Sequence, residues 1–119
     1  MSVRTAIYDL LDGVTTDVYP VVAPQETTGS YAVFSVDWEV VRIQNGVEMK
    51  EADLTIEIYA ETFDACVTLA ESFYNTLEGA TGTYGTEALE VCNFIRESDD
   101  YISELDKFNI RQVYNLKFN

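Results

Sequence analysis

Apolar residues recur at helical spacing in two segments of the chain and at strand spacing in most of the rest. From Val3 to Val14 they follow the i, i+3, i+4, i+7 pattern, which predicts a short helix that ends near Gly13. A second apolar stripe runs from Phe63 to Leu77 and predicts a longer helix, with Thr62 or Asp64 as its N-cap. Each stripe covers only one side of its helix, so both helices are expected to pack against a common core.

A long β-hairpin is predicted in the middle of the chain. The segment from Tyr31 to Arg42 is rich in β-branched and aromatic residues, and Val47 to Ala60 ends in a regular alternation of apolar and polar positions. Asn45-Gly46 lies between them, and this dipeptide suits a tight turn because both positions accept positive φ. Between Glu39 and Asp53 the alternation is poor, which predicts an arm that projects beyond the sheet.

The remaining segments complete a single domain over residues 1–119. Asp17–Gln25, which contains both prolines, is predicted to be an extended edge segment. Ala88–Arg96 and Phe108–Phe118 are predicted strands, and 79–87 and Glu97–Lys107 are predicted connections, the second one acidic. The predicted fold class is α+β: a mostly antiparallel sheet with two helices packed on one face and a projecting β-hairpin.

Charge excludes several classes of function. The chain has 21 Asp and Glu residues against 7 Lys and Arg residues, a formal net charge of −14. Proteins that hold nucleic acid by neutralising phosphates need clustered Lys and Arg, and so do proteins that dock on anionic membranes. We therefore expect neither nucleic acid nor membrane as a bound partner.

Residue types that support catalysis are scarce. The chain has no histidine, the commonest general base and metal ligand. Cys66 and Cys92 are too far apart for a CxxC site, and we expect both to be reduced, packed thiols of a cytosolic product. The glycine-containing connection 79–87 has no lysine and follows a helix, unlike a phosphate-binding loop. The expectation is a protein with no catalytic site, no metal and no cofactor.

Two groups of residues are candidates for contacts with other molecules. The hairpin arm would bring a tryptophan, which is enriched at binding hot spots, next to exposed valines that are otherwise a liability. The predicted subunit interface consists of Trp38, Val40, Arg42, Ile43, Asn45, Gly46, Val47 and Lys50. The acidic connection contains Asp99, Asp100 and Glu104, whose spacing does not fit a Ca²⁺ loop, so we interpret it as a solvated acidic loop.

Several phrases along nearly the whole chain resemble the tail terminator, or tail completion, proteins of long-tailed bacteriophages. They are structural phrases and not catalytic motifs. The phrases are Val18-Tyr19-Pro20-Val21-Val22-Ala23-Pro24-Gln25, Tyr31-Ala32-Val33-Phe34, Asn45-Gly46, Leu54-Thr55-Ile56-Glu57-Ile58-Tyr59-Ala60 and Thr62-Phe63-Asp64-Ala65-Cys66-Val67-Thr68-Leu69-Ala70.

The resemblance implies a structural virion protein with no enzymatic activity. Such proteins form a ring, usually of six copies, on the head-proximal end of the tail tube. The ring ends tube growth, contacts the tail tube protein and the head-tail connector proteins, and lets DNA pass as cargo. The implied location is the neck of a virion assembled in the bacterial cytoplasm. A neighbouring neck or connector protein of similar fold, and a small acidic module that masks a basic partner, remain as alternatives.

If the protein forms a ring, the excess of carboxylates also affects how DNA passes through the channel. An anionic channel wall repels DNA, so DNA would pass through without adhering. We therefore expect the acidic loop with Asp99, Asp100 and Glu104 to face the channel.

Overall fold

One six-stranded sheet and two helices make up the described part of the protein. The computed structural model describes residues 3–15, 17–21, 23, 29–44, 47–84 and 87–119. In chain order the elements are α1 (Val3–Asp12), β1 (Val18–Pro20), β2 (Tyr31–Gln44), β3 (Val47–Ala60), α2 (Phe63–Leu77), β4 (Gly82–Tyr84), β5 (Glu87–Ile102) and β6 (Lys107–Phe118).

The sheet has the strand order β1-β2-β3-β6-β5-β4. β1 pairs with β2 in parallel, and every other neighbouring pair is antiparallel. The α+β prediction is therefore confirmed, including the two helices on one face of a mostly antiparallel sheet. We call this side the helix face and the opposite side, on which no described helix packs, the open face.

Burial follows from the alternation of the central strands. On β3 the even-numbered residues from Ala52 to Ala60 are fully buried on the helix face, where they meet the apolar stripes of α1 and α2. Thr62 is the N-cap of α2, and its hydroxyl accepts a hydrogen bond of 3.2 Å from the Ala65 N–H. Gly79 follows the helix with a φ of 75°, the left-handed geometry that a glycine adopts at a helix C-terminus without strain.

A buried polar group joins α2 to the sheet. Gln112 on β6 donates a hydrogen bond of 2.9 Å to the Ala70 carbonyl and one of 2.8 Å to Glu97, and its own carbonyl accepts from the Tyr114 hydroxyl at 3.0 Å. All polar atoms of the amide are thus used, as a fully buried amide requires.

Three predictions for the C-terminal half are wrong. The acidic connection Glu97–Lys107 is in fact strand as far as Ile102, because its backbone pairs with β6 although its side chains are exposed. The glycine-containing connection includes the short strand β4. Regular alternation along the predicted strand Ala88–Arg96 would place Leu89 and Cys92 on opposite faces, but the β-bulge between Leu89 and Val91 shifts the alternation and both are buried.

Candidate functional site

The hairpin of β2 and β3 extends beyond the rest of the sheet. β6 pairs with β3 only as far as Lys50, opposite Phe118. Beyond that point the described parts of β2 and β3 pair only with each other, up to the pair Gln44 and Val47. This projecting part, 41–49, is the arm. A bulge between Val40 and Arg42 leaves Val40 and Val41 43% and 49% exposed, so the arm carries uncovered apolar surface close to where it leaves the sheet.

The residues of the predicted subunit interface lie in different surroundings. Trp38 is half-buried and packs against the core, and the Lys50 ammonium binds Glu87 within the same chain. Val40 is exposed on the helix-face side of β2. The backbones of Arg42, Ile43 and Val47 lie in the two strands, whereas the predicted turn, Asn45-Gly46, lies outside the described residues.

Four carboxylates meet in like-charge pairs where the arm joins the sheet. The register places Asp37 opposite Asp53 and Glu39 opposite Glu51, all on the open face. The Asn115 side-chain amide donates to Glu51 at 2.9 Å and to Asp53 at 3.0 Å. Like charges directly opposite each other destabilise a sheet, so this arrangement costs stability.

Cations balance the inner carboxylates and leave the edge strand negative. On the open face Lys117 lies opposite Glu51, and Arg111 lies opposite Glu57, so β6 offsets the charge of β3. Asp37 and Glu39 belong to β2, which has only the carboxylates of β3 across from them. The unbalanced negative charge of the open face is therefore concentrated along β2.

The predicted acidic loop is mostly strand, and its residues do not share one face. Asp99 and Asp100 lie in β5, opposite Ile110 and Asn109, so their side chains alternate between the helix face and the open face. Glu104 lies in the turn between β5 and β6, at the end of the sheet away from the arm. The interpretation as a single acidic loop is wrong in this respect, because backbone pairing with β6 extends through the charged segment.

The two thiols are buried and protonated. Burial raises the pKa of Cys66 to about 11 and that of Cys92 to about 12. Cys66 Sγ donates to the Ile58 carbonyl at 3.4 Å, which ties α2 to β3. Inert packed thiols are typical of a structural role.

Neither a metal centre nor a membrane span emerges from the part of the chain that the structure describes. No cluster of three or more Cys, Asp or Glu residues there is arranged to hold a metal ion. No helix in the same ranges is long and apolar enough to cross a bilayer.

The sequence interpretation missed the like-charge pairs. The acidic residues at 37, 39, 51 and 53 surround the turn symmetrically, and this symmetry was the available signal. However, a hairpin with a two-residue turn and no bulge would place Asp37 opposite Leu54. The bulge at Val41 shifts the register by one residue and brings the carboxylates together.

Comparison with known proteins gives a likeness of fold. No family model matches the chain, and no curated protein matches it. Among solved structures, the chain is similar to one chain of the structure described as "Virion of native gene transfer agent (GTA) particle". The TM-score is 0.76 at 19% sequence identity, over 98% of this chain and 94% of that one. The two chains thus share one fold over nearly their whole lengths.

Proposed function

We propose that the protein is a structural component of a phage-like virion. It would close into a ring, of six copies, on the head-proximal end of a tail tube, end tube growth and present the surface for head-to-tail joining. The observation that carries the proposal is the arm: a two-stranded projection that leaves the sheet beside the exposed valines Val40 and Val41. The fold likeness to a virion chain over 98% of this chain supports it.

The arm suits a head-to-tail contact between copies. Contacts between two different surfaces of identical subunits produce closed rings when the rotation closes. An arm can bind a neighbour's sheet through its backbone and bury its exposed valines at the same time. We assign the contact to Trp38, Val40, Arg42, Ile43, Asn45, Gly46, Val47 and Lys50, with tail tube and connector proteins binding the two rims of the ring.

In this proposal DNA is cargo and not a ligand. The end of the sheet that carries Asp99, Asp100 and Glu104 would face the channel and repel the DNA backbone. The proposal requires no catalysis, cofactor or membrane, and it places the protein in the virion neck after assembly in the bacterial cytoplasm. A neighbouring neck position of the same fold is the alternative, and binding to isolated tail tubes separates the two.

The experiment measures the mass of the protein in solution as a function of its concentration. Electron micrographs of the same samples show whether rings form. We expect rings for the unchanged protein. Val41 lies between the assigned contact residues Val40 and Arg42 and is 49% exposed, so the contact would cover it as well. Val41→Asp should weaken assembly at least about tenfold, because burying one valine contributes about 1.5 kcal/mol per contact. Leu105→Asp is the matched control, because Leu105 is 50% exposed but lies in the β5–β6 turn, away from the arm.

Two outcomes would overturn the proposal. One is a protein that stays monomeric at every concentration and also when mixed with tail tube subunits. The other is a Val41→Asp variant whose melting temperature falls as steeply as its assembly, since the arm would then belong to the core and not to a contact between copies.

A further inference from the structure

Within the described residues, the outer edge of β2 has backbone groups that pair with no strand. β1 covers this edge only as far as Phe34, whose carbonyl accepts from the Val21 N–H at 2.8 Å. By the alternation of the strand, Val36, Trp38 and Val40 direct their N–H and C=O groups to the same side, and no described strand pairs with them there. Of these backbone groups, the Val36 carbonyl accepts a long hydrogen bond of 3.4 Å from the Arg4 side chain, and no other described residue bonds to the rest. An unpaired edge of this kind is a template for an added strand.

An apolar cavity adjoins the start of this edge. It has a volume of about 240 Å³ and lies between α1, the end of β1 and the edge of β2. Tyr8 and Phe34 form one wall, with ring centroids 6.1 Å apart. Val21, which is 76% exposed and has a φ of 66°, follows β1 directly and also lines the cavity. On the helix face, the side chains of Val36, Trp38 and Val40 continue the apolar surface along the strand.

The opposite face of the same edge is acidic. Asp37 and Glu39 lie on the open face between the apolar residues, and no described residue supplies a hydrogen bond or ion pair to either carboxylate. Across the open face, β6 is positive, β3 is negative and β2 is negative. A strand added beyond β2 would place opposite charges beside Asp37 and Glu39 if it carried cations.

We propose that the edge of β2 from Val36 to Val40 binds an extended segment of a basic partner protein by strand addition. The segment would alternate Lys or Arg with large apolar residues. Its cations would lie beside Asp37 and Glu39, and its apolar side chains would cover Val36 and Val40, with one of them entering the cavity. Backbone hydrogen bonds supply affinity in this mode of recognition, and the alternate side chains supply specificity.

The composition of the edge disfavours a second copy of this chain as the added strand. The other long edge of the sheet, β5 beyond Leu89, carries Glu97 and Asp99 on its helix-face side. Where Glu97 and Asp99 paired with this part of β2, their carboxylates would lie against two successive helix-face residues, such as Trp38 and Val40. The inference goes beyond the proposed ring, and a single subunit presents the whole edge. Because Trp38 and Val40 also belong to the proposed contact between copies, the basic segment and a neighbouring copy would compete for that end of the edge.

The test measures binding of a fluorescent peptide, Lys-Leu-Lys-Val-Lys-Leu-Lys, to the full-length protein by anisotropy at low salt. Two matched peptides replace either the lysines by glutamate or the apolar residues by serine. We expect both to bind at least tenfold more weakly. Hydrogen exchange should slow at the amides of Val36, Trp38 and Val40 when the lysine peptide is bound.

Variants of the protein locate the contact. Asp37→Asn combined with Glu39→Gln should weaken lysine-peptide binding roughly twofold to thirtyfold, since opposite-charge cross-strand pairs contribute about 0.2–1 kcal/mol each. Glu61→Gln combined with Glu71→Gln removes the same formal charge from exposed positions elsewhere and should leave binding unchanged.

Three results would overturn the inference: equal binding of the glutamate peptide, unchanged exchange at the three amides, or equal effects of the two double variants. Each of these results is measured on the complex of one protein chain with a peptide. The ring is tested by a different measurement, the mass of the assembly, so the failure of one proposal can be told from the failure of the other.

Discussion

The ammonium of Lys50 binds both carboxylate oxygens of Glu87, at 2.8 and 3.0 Å. Lys50 is the first residue of β3 that pairs with β6, and Glu87 is the first residue of β5. The ion pair thus fastens the base of the arm to the far side of the sheet. With side chains only 20% and 6% exposed, both charges have lost most of their hydration.

Replacing one partner of this pair should be costly. Glu87→Gln leaves the lysine charge without its partner, and we expect a loss of about 2–4 kcal/mol in the free energy of unfolding, measured by urea denaturation. The double variant Lys50→Met, Glu87→Met removes both charges and should recover much of the loss. A Glu87→Gln variant within 0.5 kcal/mol of the unchanged protein, a bound well below the range for breaking buried pairs, would show that water still stabilises both groups.

The like-charge pairs predict a stabilising substitution. Asp37→Asn removes the repulsion with Asp53 and should raise the free energy of unfolding by about 0.2–1 kcal/mol at low salt. The gain should shrink in about 1 M NaCl, where the Debye length falls to about 3 Å. Glu71→Gln on α2 serves as the control. If Asp37→Asn instead lowers stability at low salt, the carboxylate has a favourable partner and the repulsion is not the dominant effect.

The buried thiols predict a loss of stability in alkali. Both thiols have a raised pKa in the folded chain, so between their ordinary pKa of 9.0 and about 11–12 the unfolded chain holds fewer protons than the folded one. Their contribution is complete below pH 9 and falls as the pH rises through this range. At pH 10 we expect a loss of about 1 kcal/mol for each thiol.

The measurement compares urea denaturation at pH 7.5 and pH 10 for the unchanged protein and for Cys92→Ala. The substitution creates a cavity and lowers stability at both pH values, so the informative quantity is the difference between them. That difference should be smaller in Cys92→Ala by about 1 kcal/mol, the share of one thiol. An identical difference would mean that Cys92 does not titrate on unfolding in this range.

The features that depend on local periodicity could be predicted from the sequence. The stripe from Phe63 to Leu77 and the alternation from Leu54 to Ala60 both encode one buried face, and the structure has the corresponding helix and strand. Thr62 was one of two candidate N-caps, and the choice between them depends on a single hydrogen bond to the Ala65 N–H.

The features that depend on register could not be predicted. No residue type in the sequence indicates the bulge at Val41, yet the bulge determines which side chain lies opposite Asp37. β5 extends to Ile102 because its backbone pairs with β6. The exposed charged side chains of this segment are compatible with a strand or with a loop, so they did not predict the pairing. The proposed binding site on the edge of β2 exists only because β1 pairs with β2 no further than Phe34. Where β1 ends is a property of the assembled sheet, so the sequence pattern does not show it.

The two-stranded construction of the arm has a consequence for how copies would recognise one another. A hairpin without a third strand is only marginally stable in water. In a ring, the neighbour that covers the arm would also supply its missing lateral support, so ordering of the arm and association would form a single linked equilibrium. Assembly would then depend steeply on subunit concentration, and an isolated subunit would show a weaker contact surface than one already held by a neighbour.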